Sequence, residues 1–385
     1  MRNAGTRAQG PVLHLADALL PYTETFVQHR LAPSARGSLA VGWRRVEHGL
    51  EIPCPSVILP QRRSSQSRFF SRVRARVLEE LDLAGTIRRC QPAVLHAHFG
   101  PIGVRALAVA RALNVPLVVS FYGFDVGLAA KPDMRRSYEA LFRFAWITAE
   151  GPSLATRLKR LGALRVFLLP LALPDWCLGE PKTRGHSADL SLLQVCRLVP
   201  KKGVDTAIQS VARARNLGVP VRLEIIGEGP ERSSLELLSR SLKLTEFVSF
   251  LGPRPYSELQ AAFSRADALL QPSRTTTDGD TEGGHPAIVL EAQAQGLPVL
   301  ATQHADIPMV VQHGRTGLLV PEDDTHALAD AIGLLSTMDR VKMGALARAR
   351  AIRRHEPRKV KRLQERIYRA AARRRFASEV ISSSR

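Results

Sequence analysis

The chain has 385 residues, 45% hydrophobic and 23% charged, enough for two or three domains of about 150 residues and ordinary for a globular protein, which excludes a wholly disordered polymer. Its formal net charge of +20 points first to nucleic acid, but residues 340–385 hold sixteen Lys or Arg against three Glu, so most of the basic excess belongs to the carboxyl-terminal segment. No apolar run reaches the ~18 residues a transmembrane helix needs, and His14 and Asp17 interrupt the first apolar stretch too early for a signal-peptide core, so a cytosolic chain is expected.

Along the first half, the apolar runs VLHLADAL, SLAVGW, AVLHAHF, PLVVSFYG and AWITAE alternate with amphipathic helical patterns. Short buried runs separated by helices are the pattern of a parallel sheet with crossovers. Thr23, Glu24 and Thr25 offer capping oxygens and an acid before FVQHRLA, and Pro101 stands at the start of IGVRALAVARAL. Between residues 62 and 77, Arg62, Arg63, Arg68, Arg72, Arg74 and Arg76 interleave with Phe69, Phe70, Val73 and Val77, a composition suited to an interfacial helix on an anionic membrane. The stretch 171–189, rich in Pro and Gly without a sustained period, reads as a linker.

The second half repeats the alternation with LSLLQVCRL, VRLEIIG, FVSFLG, DALLQPS and LPVLATQ. Two such series predict an α/β protein of two doubly wound domains, residues 1–170 and 190–339, joined by the linker 171–189 and followed by a basic helical tail, 340–385. In that tail KRLQERIYRAA reads as a terminal helix packed back on the first domain, whereas Arg373, Arg374 and Arg375 fit a membrane contact. Cys54, Cys90, Cys177 and Cys196 are too scattered for a zinc knuckle or a disulfide framework, and reduced thiols are expected.

Ligands of open α/β sheets sit beyond the carboxyl ends of the strands, where helix starts supply amide donors. Arg197 follows the strand LLQVC, and Lys202 precedes Gly203 and a helix start, so the two cations read as a diphosphate clamp or as a solvated turn. Pro286 opens IVLEAQAQ and Gly296 closes it; within that apolar helix Glu291 needs polar partners, either a ribose diol or an arginine. His96 and His98 share one face of a strand but lack a third metal ligand at recognisable spacing. Asp278-Gly279-Asp280 reads as a polar turn rather than a metal motif. Gly227-Glu228-Gly229-Pro230 fails as a dinucleotide fingerprint, because Arg232 takes the third glycine position and Pro230 removes an amide.

The series VCRLVPKKGVDTAI, LEIIGEGPER, FVSFLGPRP, EGGHPAIVLEAQAQGLPVLAT and GRTGLLV, over roughly residues 190–330, resembles the carboxyl half of the retaining glycosyltransferases of family four. LPYTETFVQHR, LHAHFGPIGVRALA and SFYGFDV are similar to its bacterial exopolysaccharide and lipopolysaccharide branch. The resemblance implies the GT-B fold, two Rossmann-like domains facing a cleft, and hexose transfer with retention from a UDP- or GDP-sugar to a glycan or lipid-linked saccharide, without metal or other cofactor. It implies that Arg197 and Lys202 hold the donor diphosphate, that Glu291 binds the ribose, and that Glu282 or the backbone of Gly283, Gly284 and His285 holds the hexose, with Gly252 and Pro253 also lining the donor site. Thr23, Glu24, His98 and Tyr122 would meet the acceptor.

Relatives place seven residues between the two glutamates; here eight separate Glu282 from Glu291, so Gly283 falls at the usual Glu position, and either the loop bulges so that Glu282 reaches in, the favoured reading, or only the backbone amides of Gly283, Gly284 and His285 meet the sugar. Tyr122 stands where many relatives have a catalytic-centre histidine, which argues against a histidine-based mechanism; Met309 replaces a usual Glu and Cys196 a usual Gly. Two rival functions remain on sequence grounds: a nucleotide-sugar epimerase with the same donor site, and a nucleic-acid-binding protein. The tail, with only Tyr368 and Phe376, offers no alternation of stacking aromatics, so no nucleic-acid partner is expected.

Overall fold

The computed structural model describes residues 10–19, 21, 25–31, 34–44, 46, 50–60, 69–181 and 189–373, with the side chains of 69–76 outside the description. The chain divides into two compact units, residues 1–170 with 358–385, and residues 171–357.

The first unit is built on seven strands: β1 (Val12–Ala18), β2 (Ser38–Arg44), β3 (Ser56–Ile58), β4 (Val94–His98), β5 (Leu117–Phe121), β6 (Trp146–Ala149) and β7 (Val166–Leu168). They form one parallel sheet in the order β3-β2-β1-β4-β5-β6-β7, so the winding reverses between β1 and β4. β4, β5 and β6 are buried throughout, as expected for strands covered by helices on both faces. The helix Gly100–Ala112 starts one residue before Pro101. The helix Phe69–Cys90 takes in Arg72, Arg74 and Arg76, whose side chains, with Arg62, Arg63 and Arg68, lie outside the described residues.

The second unit carries β8 (Leu190–Val195), β9 (Val221–Ile226), β10 (Val248–Gly252), β11 (Ala268–Gln271), β12 (Val299–Thr302) and β13 (Gly317–Val320). These are parallel in the order β10-β9-β8-β11-β12-β13, with the reversal between β8 and β11. The loops leaving β8 and β9 lie backbone against backbone: a Cβ on Gly227 would meet the Cys196 carbonyl oxygen at 1.8 Å, and Gly227 has φ 142°. Only glycine allows that approach. The segment 171–181 is part of this unit, with the short turn Asp175–Leu178 tied by Arg348 to the carbonyls of Leu178 (3.2 Å) and Gly179 (2.9 Å).

Residues 340–385 do not form one appendage. The helix Arg340–His355 lies in the second unit, whereas residues 358–373 of the helix Pro357–Arg373 belong to the first, and Arg374 and Arg375 lie outside the described residues. All four cysteines are free thiols. Among the described residues no helix is long and apolar enough to cross a membrane.

Candidate functional site

At the winding reversal of the second sheet, β8 is followed by Cys196-Arg197 and β11 by Pro272-Ser273. A turn at Pro200–Lys202 leads through Gly203 (φ 61°) into the helix Val204–Asn216, and no larger residue fits at Gly203, whose Cβ would lie 2.0 Å from the Pro272 carbonyl oxygen. This turn aims Lys202 inward. Its Nζ donates to both oxygens of Glu282, at 2.6 and 2.7 Å, and the Ser273 hydroxyl donates to Glu282 Oε1 at 2.8 Å. Burial pushes the Glu282 carboxyl up, but the Lys202 charge and the bonds from Lys202 and Ser273 outweigh it and hold the group below its usual range. Glu282 is therefore a carboxylate, and the next residue, Gly283, takes the left-handed conformation at φ 79°.

Sequence reasoning passed over the residues that fix this loop. Lys201, buried, donates to Asp280 at 2.9 Å and to the Thr281 carbonyl at 3.2 Å. The Glu282 amide donates to His304 Nε2 at 3.1 Å, so Nε2 is an acceptor and Nδ1 carries the proton given to Glu322 at 2.8 Å. The Lys201-Lys202 doublet was a legible signal; His304 and Glu322 had none. Asp278-Gly279-Asp280 forms the expected turn, with the Gly279 amide bonded to the Thr276 carbonyl at 2.8 Å.

The remaining donor-site expectations divide. Arg197 is exposed at the end of β8, with no ion pair among the described residues. Gly252 ends β10 and accepts the Gly227 amide at 3.0 Å, with Pro253 exposed beside it. Glu291, in the helix Ala287–Ala294, accepts from the Tyr256 hydroxyl at 2.9 Å, and Trp176 packs edge-on against Tyr256. Among the described residues no arginine partners it, and burial pushes its carboxyl up to about 7. His285 is buried edge-on to His355 and burial lowers it to about 3, so its ring is a neutral packing element; the Gly284 carbonyl accepts the Asp306 amide at 3.4 Å.

A second polar cluster occupies the reversal of the first sheet. His14 pairs in register with His96 across β1 and β4, so His14, His96 and His98 share a face. His14 Nδ1 lies 3.1 Å from His98 Nε2, and His98 Nδ1 lies 2.9 Å from the Tyr122 hydroxyl. His96 is held by Tyr368 at 2.6 Å and Ser120 at 2.7 Å. Burial keeps the imidazoles neutral and raises the Tyr122 phenol, so neither His98 nor Tyr122 is placed to act as a base through its ordinary titration. Asp125, raised by burial to about 6, accepts the amides of Gly100, Tyr122 and Gly123 at 3.0 Å each and fixes the loop that carries Tyr122. Thr23 and Glu24 lie outside the described residues. The sequence showed His96 and His98, but His14 was visible only as a polar break in an apolar run.

Residues 182–350, within the second unit, match the family model described as glycosyl transferases group 1. Over 253 residues the chain is 34% identical to WcaL of Salmonella typhimurium, named for colanic acid biosynthesis, covering 64% of this chain and 62% of that protein. The chain thus spans about three fifths of the length of this curated relative. AmsK of Erwinia amylovora, named as an amylovoran biosynthesis glycosyltransferase, is 37% identical over 147 residues, covering 38% of this chain and 36% of that protein. The crystal structure of Anabaena HepE in complex with UDP and glucose superposes with a TM-score of 0.77 at 16% identity, covering 93% of this chain and 98% of that one. The architecture, two Rossmann-like parallel-sheet domains, is that of the GT-B glycosyltransferases.

Proposed function

We propose that the protein is a retaining glycosyltransferase that moves a hexose from a UDP- or GDP-sugar to a hydroxyl of a growing, lipid-linked glycan in exopolysaccharide synthesis. The observation that carries this reading is the Lys202–Glu282–Ser273 cluster beside the exposed Arg197, at the winding reversal of the domain that matches glycosyl transferases group 1. An α/β sheet binds its ligand at such a reversal. Arg197, Lys202 and the amides at the start of the helix Val204–Asn216 would neutralise the diphosphate as charge grows on it, which is where cations lower a barrier most. Glu282, a fixed carboxylate, would take the hexose hydroxyls, and Glu291 the ribose. The neutral His98 and the raised Tyr122 suit hydrogen bonding to an acceptor hydroxyl rather than proton abstraction, in keeping with attack on the face the diphosphate leaves. The reaction would then need no metal, since the two cations and helix amides supply the neutralising charge. Contact with an anionic membrane surface through residues 62–76 and 373–375 would bring the enzyme to a lipid-linked acceptor.

The experiment is release of UDP or GDP by the full chain from a panel of nucleotide sugars, with and without EDTA, and with the anomeric configuration of the product read by NMR. Release from one donor class, unaffected by EDTA and with retention, is expected. An epimerised sugar without transfer would replace this reading by the epimerase, and a requirement for Mn²⁺ would remove the metal-free mechanism.

A further inference from the structure

Arg30, near the end of the helix Thr25–Leu31, is 3% exposed. Its Nη2 donates to the Leu169 carbonyl at 2.6 Å, just past the end of β7, while Nε and Nη1 have no hydrogen-bond partner among the described residues. Gln364 Nε2 donates to the Arg30 carbonyl at 3.0 Å, so the residue is anchored at its backbone as well. A guanidinium stays charged in proteins, and a buried one with unsatisfied donors is costly. After burial, which dominates, the Arg30 charge is among the influences that lower His96 and His98, and it favours the ionised forms of Tyr122 and Tyr368, while the carboxylates of Glu150 and Asp125 oppose it at Tyr122 and that of Glu365 at Tyr368. Gln364 also bonds the Tyr368 hydroxyl at 2.8 Å, which meets His96 of β4 at 2.6 Å, and His96 meets Ser120 of β5 at 2.7 Å, so Arg30 is linked to β4 and β5 as well as to the carboxyl end of β7, the edge where an α/β sheet takes its ligand.

The same electrostatics decide against a cation here. His14, His96 and His98 place ligand atoms within 4.8 Å of one another, but both nitrogens of His96 are engaged by hydroxyls and the neighbouring guanidinium repels a dication.

We propose that Arg30 is the receptor for an oxyanion, a phosphate or carboxylate carried by the acceptor, bound beyond the carboxyl ends of β4, β5 and β7. That the oxyanion belongs to an acceptor rests on the glycosyltransferase reading; the anion site does not. Because the guanidinium is enclosed, entry of the ion requires the helix Thr25–Leu31 or the segment after β7 to open and reclose, and the bound ion then ties them together.

Hydrogen exchange of the full chain in inorganic phosphate, in glucuronate and in chloride at equal ionic strength tests this. Peptides covering 25–31 and 166–170 are expected to exchange several-fold more slowly in phosphate, in glucuronate or in both than in chloride. Protection by phosphate alone marks a phosphate-bearing acceptor, and by glucuronate alone a uronic acid. The effect should persist in Arg197→Gln, which alters only the donor side. It should vanish in Arg30→Gln, and in Arg30→Lys, which keeps the charge for folding, need about tenfold more anion. Equal exchange in all three salts, or wild-type protection in Arg30→Lys, overturns the proposal. Protection that depends on Arg30 in a chain releasing no UDP or GDP from any donor supports the anion site and sinks the transferase reading instead.

Discussion

Lys202 and Glu282 have side chains only 13% and 8% exposed, and their contact is a buried ion pair. A loop lysine at a helix start would be expected from sequence to matter for turnover and little for stability; its burial against Glu282 changes that. Lys202→Ala leaves the carboxylate with Ser273 and a distant Gln271 (3.5 Å) as its remaining donors, and breaking such a pair from one side costs about 3–5 kcal/mol. Urea denaturation should show that loss, and Lys202→Ala with Glu282→Gln should recover most of it; a double variant no more stable than the single would refute the pairing account. Glu291 gives the opposite pH signature. Its folded pKa of about 7 lies above the usual glutamate range, so the folded chain keeps a proton that the unfolded chain has released. Stability from this group is full below the usual range and declines as pH rises to about 7, by about 3 kcal/mol in all. Glu291→Gln should flatten that decline in denaturation curves between pH 5 and 8, and an unchanged slope would remove the burial argument. The residue types at both positions were legible in the sequence. Their pairings were not, because Lys202 and Glu282 lie 80 residues apart and meet only when β8 and β11 become neighbours.

Among elements, the terminal helix Pro357–Arg373 shows how a basic segment can be structural. Val360, Gln364, Ile367, Tyr368 and Ala371 are buried, at the spacing of one helical face, and the arginines occupy the other. The Tyr368 hydroxyl meets His96 at 2.6 Å and Gln364 at 2.8 Å, tying this helix to β4. Tyr368→Phe leaves a buried imidazole nitrogen without its partner, which costs about 1–3 kcal/mol; global stability should fall by that amount and amide exchange in 358–373 should accelerate. Exchange no faster than in the native chain would show that packing alone holds the helix. Ten strands stood out as apolar runs because they are interior or long. β3, β7 and β13, three or four residues each at the sheet edges, did not. A short edge strand has one neighbour and leaves almost no periodicity to read.

At the scale of the molecule, the chain passes between the units twice, near residues 170 and 357, and the intervening segment is continuous. Its two ends are fastened to each other: the Leu173 amide donates to the His355 carbonyl at 2.9 Å, and His355 Nδ1 donates to the Leu171 carbonyl at 2.8 Å. A unit whose ends already meet inside its own fold loses little by being cut out. The first unit is different, because its last packed layer comes from residues after 357. Residues 171–357 alone should therefore give a cooperative urea transition and bind UDP or GDP. Residues 1–170 alone should not, since His96 and the Arg30 carbonyl would lose Tyr368 and Gln364; adding 358–385 as a separate peptide should restore the transition. Near-ultraviolet circular dichroism of the three samples decides it. A native spectrum for 1–170 alone would mean that the terminal helix only covers a unit already complete, and aggregation of 171–357 would mean that the fastened ends do not suffice for independent folding.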